Sequence, residues 1–341
     1  MSKRHVSLKT LAQALNVSIS TVSRALKNHP DIGPEVTQKV QALARELNYT
    51  PNPLAMGLLK NRTHTIGVIV PDLVTHFFSS IISGIEQVAN ENGYYIVIRS
   101  SYESYEKEKE CIENLLKLHV EGIIMCLAQE TTEYSHFDAL VAEELPLVFF
   151  DRVCRADEVA TVVVDNREAA RRITRHFFER GYRRIAHIAG PPQLNITRER
   201  IEGYQQGLAD CNLPFDRELL THCDLSIASA TAATQRLLAL PSRPDAIFGV
   251  NDTTAFAAMK EIKRQRLRIP EDVGLVGFTD EFHATVVEPT LTSVMHPTFE
   301  MGREAALLFL AQAAAKVPLP PRQTVLTTQL VVRESSTRAL D

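Results

Sequence analysis

The chain has no run of about 18 apolar residues, the length that a helix needs to cross a membrane. Its first residues, MSKRHVSLKT, are basic but lack the apolar segment of a signal peptide, so we expect a cytoplasmic protein. The five cysteines are scattered without a C-x-x-C pair, which argues against a disulfide framework and against the usual zinc spacings. We expect buried thiols in a reducing compartment, no metal site and no membrane partner.

Sequence motifs of the common enzyme classes are also missing. There is no G-x-G-x-x-G after a strand, no P-loop, no H-E-x-x-H zinc motif and no G-x-S-x-G nucleophile motif. Aspartates and a histidine in a cleft are able to do acid–base chemistry, so the missing motifs alone do not exclude an enzyme. The N-terminal region predicts a helix-turn-helix, which has no obvious purpose in an enzyme. We therefore expect no enzymatic activity and no cofactor.

Acidic residues are scarce in one part of the chain only. Residues 1–62 contain nine Lys and Arg but three acids, a net charge of +6, whereas the remaining residues carry −10. A small cationic region joined to a large anionic one indicates that the N-terminal region meets a polyanion. With 341 residues and a hydrophobic content of 45%, the chain is long enough for a large core and for more than one domain.

The N-terminal region has the apolar spacing of three short helices. The first is predicted over residues 8–15, where apolar residues follow the i, i+3, i+4, i+7 pattern and Ser7 is a natural N-cap. A second is predicted over residues 19–26 after a cap at Ser18, and a third begins at Pro34. Three helices with a tight turn between the first two form a helix-turn-helix, whose second helix enters the major groove of DNA.

One face of the predicted second helix carries hydroxyl groups, an isoleucine and two basic residues. Short hydroxyl groups reach phosphates or bases without filling the groove, Ile19 fits a thymine methyl group, and Arg24 has the fork that binds guanine O6 and N7. On its own this pattern is more often a solvated helix face, but the motif and the positive charge together favour DNA. The face consists of Ile19, Ser20, Ser23, Arg24 and Lys27.

From residue 65 onward, β-branched apolar runs alternate with amphipathic stretches. Strands are predicted at TIGVIV, YYIVIRS, EGIIMCL, LPLVFFD, ATVVVD, RRIAHIAG, AIFGVN and VGLVGF. Helices are predicted over residues 79–92, 167–180, 197–210, 229–239 and 253–265. Strands of this kind separated by helices form parallel sheets that are covered on both faces. Because about 280 residues exceed one such sheet, we predict an α/β fold with two subdomains.

Polar residues follow several of these strands, where open parallel sheets bind their ligands. Carboxylates and amides bridge vicinal hydroxyl groups, and Arg200, from RERIEG, offers a bidentate donor pair. Phe77 and Phe78 offer an apolar wall for a sugar, although either is as readily a core residue. Helix capping is the alternative role of Asp252 and Asp280. The strand-end residues are Asp72, Asp151, Arg152, Asn251, Asp252, Thr279 and Asp280.

Motifs along the whole chain resemble those of the LacI/GalR family of bacterial transcription repressors. In the N-terminal region the resemblance lies in VSLKTLAQALNVSISTVSRALKN and ELNYTPNPLA. In the remainder it lies in TIGVIVPD, VEGIIM, FDR, VVDN, GYRRIAHIAG, RERIEGY, GVNDTTAFAAM, VGLVGFTD and PTLTSV, in that order. The resemblance implies a helix-turn-helix head and a periplasmic-binding-protein-like core with two subdomains and parallel sheets. It also implies an effector that controls binding to operator DNA.

The resemblance assigns DNA contacts to the head and to a hinge over residues 51–62. The family's hinge folds into a helix on the operator, where Leu58 matches a leucine wedged between base steps. Lys9 and Lys27 replace an Asp and an Asn that are common in the family and are expected to add nonspecific affinity, and Gly33 replaces the usual hydroxyl N-cap of the third helix. The expected DNA contacts are Ser7, Ser18, Ile19, Ser20, Thr21, Ser23, Arg24, Lys27, Asn52, Ala55 and Leu58.

The resemblance also assigns effector contacts to the core. Many relatives have an Asp where Thr279 stands, so either Asp280 takes over its role or the ligand lacks the donor that an Asp would accept. Arg152 and Asp280 join the set because they follow strands. The expected effector contacts are Phe77, Phe78, Asp151, Arg152, Arg200, Leu225, Asn251, Thr279, Asp280 and His296.

The expected domains are a head over residues 1–50, the hinge, and a core over residues 63–341. The resemblance implies three crossings between the subdomains, which then comprise about residues 63–163 with 294–323, and 164–293 with 324–341. We expect a homodimer on a near-palindromic operator, without the tetramerising tail of some relatives, because the last residues have no leucine heptads. A sugar is the expected effector, and a phosphoprotein partner or a purine or nucleoside effector are the alternatives. A free periplasmic sugar-binding protein has the same core fold but needs a signal peptide.

Overall fold

A computed structural model describes residues 6–47, 49 and 63–338 of the protein. Its contacts divide the chain into two compact units, residues 1–64 and residues 65–341. The expected hinge, with Asn52, Ala55 and Leu58, lies outside the described residues.

The described residues of the N-terminal unit form three helices, as the apolar spacing predicts. They are α1 (Leu8–Leu15), α2 (Ile19–Ala25) and α3 (Pro34–Glu46). Ser7 caps α1 by accepting a hydrogen bond from the backbone N–H of Thr10, and Ser18 caps α2 by accepting one from Thr21. The helices pack around a small apolar core that contains Leu11, Ala12, Val22, Ala25, Val40 and Ala44. The predicted helix-turn-helix is therefore confirmed.

The turns in this unit follow from local sequence. Asn16 ends α1 with a φ of 50°, a left-handed conformation that Asn tolerates, and the chain turns there into α2. Gly33 occupies the N-cap position of α3 and makes no side-chain hydrogen bond, while Pro34 stands in the first turn of the helix.

The larger unit contains two six-stranded sheets. Its first half consists of β1 (Thr65–Val70), α4 (His76–Glu91), β2 (Tyr95–Ser100), α5 (Tyr105–Lys117), β3 (Ile123–Met125), α6 (Asp138–Ala142), β4 (Leu147–Phe150) and β5 (Ala160–Val164). Its second half consists of α7 (Asn166–Glu179), β6 (Ile185–Ala189), α8 (Asn195–Asp210), β7 (Leu220–His222), α9 (Ile227–Leu238), β8 (Ala246–Gly249), α10 (Asp252–Arg264), β9 (Gly274–Thr279), β10 (Thr292–Met295), α11 (Thr298–Ala314), β11 (Gln323–Leu326) and β12 (Gln329–Val331).

The first sheet has the order β11-β5-β4-β3-β1-β2, and all its pairs are parallel. The second has the order β12-β10-β9-β8-β6-β7, in which β12 alone runs antiparallel to its neighbour. Alternate residues of β1 face opposite cores, since Ile66 and Val68 pack in one apolar cluster and Ile69 in another. The sheets are therefore covered on both faces, as their continuous apolar runs predict.

The chain passes between the two sheets three times. It leaves the first sheet after β5, returns after β10 when α11 packs beside α4, and leaves it again between β11 and β12. The β10 passage contains His296 and Pro297, and the β11 passage contains residues 327–328. Both sheets thus turn the carboxyl ends of their strands toward the passages.

Four strands are not among the sequence predictions. β7, β11 and β12 lie at sheet edges with partly exposed residues, and β10 is the four-residue segment TSVM, so none has the long apolar run of a central strand. Within the described residues, no helix combines the length and the apolar character that a membrane crossing requires.

Candidate functional site

The surface of α2 carries a cluster of hydroxyl groups. Ser18 Oγ lies 2.7 Å from Ser20 Oγ and 2.8 Å from Thr21 Oγ1, at the first turn of the helix. Ile19 is 47% exposed although it is apolar. The surface therefore presents an apolar group beside several hydrogen-bonding groups, which is the combination that base edges and phosphates match.

Arg24 is exposed on the same helix and has a weak partner. Its Nη1 lies 3.7 Å from Asp31 Oδ2, and the same carboxylate oxygen is 3.4 Å from His29 Nδ1. Both members of the Arg24–Asp31 pair are more than half exposed, so water and salt screen their attraction. Ser7 and Lys27 are exposed as well, and Ser23 is half-buried. Arg24 is thus available to another partner.

The larger unit has a cavity of about 370 Å³ at the carboxyl ends of strands from both sheets. Segments after β1, β2, β3 and β4 form one wall, segments after β6, β7, β8 and β9 form the other, and His296 lines the cavity from the passage after β10. A volume of this size suits a small organic molecule. The predicted effector contacts that line it are Phe77, Phe78, Asp151, Arg152, Arg200, Leu225, Asn251, Thr279 and His296.

Arg200 projects from α8 and is only 3% exposed, and three partners hold its guanidinium. Its Nε donates to Asn166 Oδ1 at 2.9 Å, its Nη1 donates to the backbone carbonyl of Val250, and its guanidinium covers the ring of Phe278. Burial lowers the pKa of Arg200 to about 10, so it stays charged at neutral pH. Nη2 donates to no described residue, which leaves a pair of N–H groups for a ligand.

Asn166 connects the Arg200 guanidinium to the carboxyl group of Glu199. Its Oδ1 accepts from Arg200, while its Nδ2 donates to Glu199 Oε2 at 2.9 Å. Burial raises the pKa of Glu199. The amide therefore fixes the orientation of the guanidinium from behind the cavity wall.

Asp151 and His296 face each other at the bottom of the cavity. His296 Nε2 lies 3.5 Å from Asp151 Oδ1, and neither ring nitrogen of the buried imidazole has a hydrogen-bond partner among the described residues. Burial raises the pKa of Asp151, but the adjacent His296 and the Arg200 and Arg152 cations outweigh it, so the pKa is lowered overall. The carboxylate is ionised at neutral pH and able to accept hydrogen bonds from a ligand.

Arg152 differs from Arg200 because its charge is already paired. Its Nη1 donates to Glu103 Oε2 at 2.7 Å, and Glu103 also accepts from the backbone N–H of Gln129. Burial lowers the pKa of Arg152, but the Glu103 carboxylate outweighs it and raises the pKa overall. Three polar atoms on this wall are buried without a partner among the described residues: Thr75 Oγ1, Gln129 Oε1 and Arg152 Nε. Unsatisfied buried atoms of this kind cost about 1–3 kcal/mol each, which a ligand or water recovers.

The apolar part of the cavity is made by aromatic and aliphatic side chains. Phe77 meets both Phe78 and His296 edge to face, with ring centroids 5.0 Å apart in each pair. Phe78 is 5% exposed and belongs to the core cluster as well, whereas Phe77 is half-buried. Ile196, Leu225 and Val250 complete the apolar lining. The cavity lining thus combines apolar side chains with polar and charged ones.

Three other predicted contacts, Asn251, Thr279 and Leu225, lie at a helix cap or at an unusual backbone conformation. Asn251 caps α10 by accepting a hydrogen bond from the backbone N–H of Thr254 at 2.8 Å, so the capping role lies with Asn251 rather than with Asp252. Thr279 and Leu225 have φ values of 137° and 67°, which non-glycine residues adopt at a cost. Such conformations persist where tertiary contacts hold them, and they are frequent at ligand sites.

Asp280 is not brought to the cavity, contrary to the expectation that it replaces the missing Asp at position 279. Its Oδ1 accepts a hydrogen bond from Arg333 Nη1 at 2.6 Å. Its φ of 58° follows the unusual φ of Thr279, and together they turn the carboxylate toward Arg333. The next residue, Glu281, lines the cavity instead.

Glu103, Gln129 and Glu281 also line the cavity, and none of them is among the residues predicted from the sequence. Glu103 and Gln129 follow strands β2 and β3, where the same strand-end argument finds them if it is extended to every strand. Asp252 was selected and is 1% exposed, accepting from Ser293 Oγ at 2.6 Å and from the backbone N–H of Glu281 at 2.9 Å. Burial raises its pKa to about 7.

Comparisons with known proteins agree with this architecture. Residues 63–329 match the family of periplasmic binding proteins and sugar-binding domains of the LacI family, and residues 7–52 match the bacterial regulatory proteins of the lacI family. The chain is 33% identical over 336 residues to the HTH-type transcriptional repressor CytR of Escherichia coli (strain K12), covering 98% of this chain and 96% of that protein.

Two solved structures share the fold over nearly the whole chain. A complex of the transcriptional regulator CelR with cellobiose is 30% identical with a TM-score of 0.74, covering 97% of this chain and 99% of that one. The lac repressor dimer bound to operator and the anti-inducer ONPF is 25% identical with a TM-score of 0.85, covering 98% and 100%. The chain therefore belongs to the LacI family of bacterial transcription regulators, with a DNA-binding helix-turn-helix and a sugar-binding type of core.

Proposed function

We propose that the protein is a cytoplasmic repressor whose affinity for a near-palindromic operator is controlled by a small carbohydrate-like effector in the cavity of the core. The observation that carries this proposal is the cavity's polar set. Among the described residues, Arg200 Nη2 and the two ring nitrogens of His296 have no hydrogen-bond partner, and Asp151 offers an ionised carboxylate. Directional donors and acceptors beside an apolar wall are what a polyhydroxylated ring needs.

The roles of the cavity residues follow from their chemistry. Arg200 donates to two neighbouring hydroxyl oxygens, and Asp151 accepts from hydroxyl groups. Asn251 Oδ1 already caps α10, so its amide N–H groups are the part available to a ligand. Phe77 packs against the apolar face of the sugar ring. Phe78, Arg152, Leu225 and Thr279 shape the remaining wall, and His296 hydrogen-bonds the ligand from the bottom.

The DNA-binding roles follow from the exposed face of α2. We assign base contacts to Ile19, Ser20 and Arg24, and phosphate contacts to Ser18, Thr21 and Ser23. Ser7 and Lys27 are the further DNA contacts beside them. The hinge contacts at Asn52, Ala55 and Leu58 remain part of the proposal on the resemblance alone. Two heads on a two-fold dimer read the two halves of a near-palindromic site. In support, the similar lac repressor structure is a dimer bound to its operator.

Effector control requires that the ligand favour one arrangement of the two subdomains over another. Asn195 and Gln193 link the subdomains at the cavity rim. Asn195 Oδ1 accepts from the backbone N–H of Val153 at 3.1 Å, and Gln193 Nε2 donates to the carbonyl of Gln129 at 2.6 Å. A ligand that bridges Asp151 and Arg200 adds to these contacts and favours the closed arrangement. Closure then alters the spacing of the two hinges and with it the operator affinity.

The test begins with operator selection from a random duplex library by the full-length protein. Fluorescence anisotropy then follows the affinity for that operator as cellobiose, glucose, ribose, uridine and adenosine are added in turn. We expect a sugar to change the affinity at least tenfold while leaving binding to random DNA unchanged. If only the nucleosides change the operator affinity, the nucleoside alternative is favoured. No change with any compound, but a change with a phosphoprotein partner, contradicts the small-effector proposal.

A further inference from the structure

The turn that ends β9 is fixed by contacts from three other elements. Asp280 N–H donates to Ser293 Oγ at 3.0 Å, and Glu281 N–H donates to Asp252 Oδ2 at 2.9 Å. The Asp280 carboxylate is held by Arg333. Because β10, α10 and the segment after β12 all take part, the turn keeps the unusual φ values of residues 279 and 280.

This turn places the carboxylate of Glu281, rather than that of Asp280, at the cavity. Glu281 lines the cavity and its side chain is 14% exposed. Among the described residues its carboxylate accepts no hydrogen bond, and its ion-pair partner is His283, whose Nδ1 is 3.8 Å away. A shielded carboxylate with free acceptor sites gains most from ligand hydroxyl groups, because these replace the water that burial removes.

The charges around the cavity are mainly negative. Arg152 and Arg200 are the cations of the lining, and the guanidinium of Arg152 is already paired with Glu103. An anionic ligand would meet one available guanidinium and several carboxylates, and like charges in a partly closed cavity repel strongly. The carboxyl groups of the lining belong to Asp72, Glu103, Asp151, Asp224, Asp252 and Glu281, of which Asp252 is in part protonated at neutral pH because burial raises its pKa to about 7.

We propose that Glu281 supplies the hydroxyl acceptor that Thr279 lacks, and that the cavity accepts uncharged polyhydroxylated ligands while it rejects their phosphorylated forms. Glu281 is then a specificity-determining residue. This inference rests on the proposed function, because both concern the same cavity. Asp252 and Arg333 act as positioning residues, since Asp252 accepts from the backbone N–H of Glu281 and Arg333 holds the Asp280 carboxylate, and both bonds fix the turn.

Calorimetry with matched pairs of probes tests the proposal on the full-length protein. The pairs are glucose and glucose 6-phosphate, ribose and ribose 5-phosphate, cellobiose and cellobiose 6′-phosphate, and uridine and uridine 5′-monophosphate. We expect at least one uncharged probe to bind, and its phosphorylated counterpart to bind at least about tenfold more weakly because of charge repulsion. Equal or tighter binding of the phosphorylated counterpart overturns the inference and leaves the proposed function standing.

The variant Glu281→Gln tests the assigned residue without altering its shape. We expect it to lower the affinity for the uncharged probe about tenfold, the loss typical of a charge-assisted hydrogen bond. The ratio of the affinities for the uncharged and the phosphorylated probe should fall as well. Glu271→Gln is the control, because it removes the same charge from an exposed position of the same subdomain that does not line the cavity. Unchanged affinity and preference in Glu281→Gln overturn the assignment. If no probe of either kind binds the wild type, the proposed effector class fails and this inference fails with it.

Discussion

The guanidinium carbon of Arg200 lies 3.6 Å from the centroid of the Phe278 ring. Phe278 is fully buried in β9, immediately before the turn that ends at Glu281. A planar cation over an aromatic face is held both by electrostatic attraction and by packing. Strand β9 therefore orients the Arg200 cation, which belongs to the same cavity wall. The N–H pair on Arg200 Nη2 is in place before a ligand binds.

Arg200→Lys is expected to abolish the effector response and to lower the free energy of unfolding by about 1–3 kcal/mol. Lysine keeps the charge but loses the fork, so Asn166 Oδ1 and the carbonyl of Val250 are not satisfied together. Calorimetry with a binding probe and urea denaturation measure the two effects. Arg198→Lys is the matched control on the same helix, because Arg198 is exposed. Unchanged probe affinity in Arg200→Lys would show that the cation does not contact the effector.

Arg24→Ala is expected to cost about 1–3 kcal/mol on the selected operator and to relax the preference at one base pair in each half-site. Lys9→Ala is expected to weaken binding to all sequences alike and to reduce the salt dependence. Anisotropy titrations on operator and on random duplexes at several salt concentrations separate the two effects. Equal losses on both duplexes for Arg24→Ala contradict a base contact.

Asp252→Asn is expected to change how stability depends on pH. The pKa of Asp252 in the folded protein is raised to about 7 from an ordinary value of 3.8, so its contribution to stability is present below pH 4 and is lost as the pH rises through 7. Asparagine does not titrate, and it also loses the hydrogen bond from Glu281 N–H. The variant should therefore lose more free energy of unfolding, relative to wild type, at pH 5 than at pH 8, by on the order of 1–3 kcal/mol.

Urea denaturation of both proteins at the two pH values measures this difference directly. Burial lowers the pKa of other groups, such as His187, to about 3. Such groups titrate alike in wild type and variant, so their effect on stability cancels when the two proteins are compared. A greater loss at pH 8 would mean that the Ser293 and Glu281 hydrogen bonds outweigh the burial of the charge.

Asn195→Ala is expected to loosen the cavity rim. Its side chain accepts from Val153 N–H and donates to the carbonyl of Asp151 at 3.3 Å, and both partners lie in the other subdomain. Loss of a hydrogen bond of about 1 kcal/mol should speed exchange of the Val153 amide about fivefold. Hydrogen-exchange mass spectrometry of the segment around Val153 measures the change, and the amides of β6 serve as an internal reference. An unaltered rate would exclude Asn195 as a rim contact.

Local sequence was enough to predict most of the elements and several site residues. The caps at Ser7 and Ser18 depend on a hydroxyl just before an apolar helical pattern, and the central strands depend on β-branched runs, so both are readable from neighbours in sequence. Strand ends placed Asp151 and Asn251 at the cavity, because parallel strands bring their carboxyl ends to one edge. Edge strands β7, β11 and β12 lacked such a signal, since half-exposed residues need no apolar run.

Sequence by itself therefore determined the helix-turn-helix and the two α/β subdomains, because both arise from periodicity over neighbouring residues. The strand ends indicated where the cavity lies. It did not determine which acid after β9 faces that cavity. Arg333, 53 residues further along the chain, holds the Asp280 carboxylate, and Asp252 and Ser293 hold the backbone of the turn. These long-range hydrogen bonds maintain two unfavourable φ values that no local pattern predicts, and through them tertiary structure alone turned Asp280 away and Glu281 in.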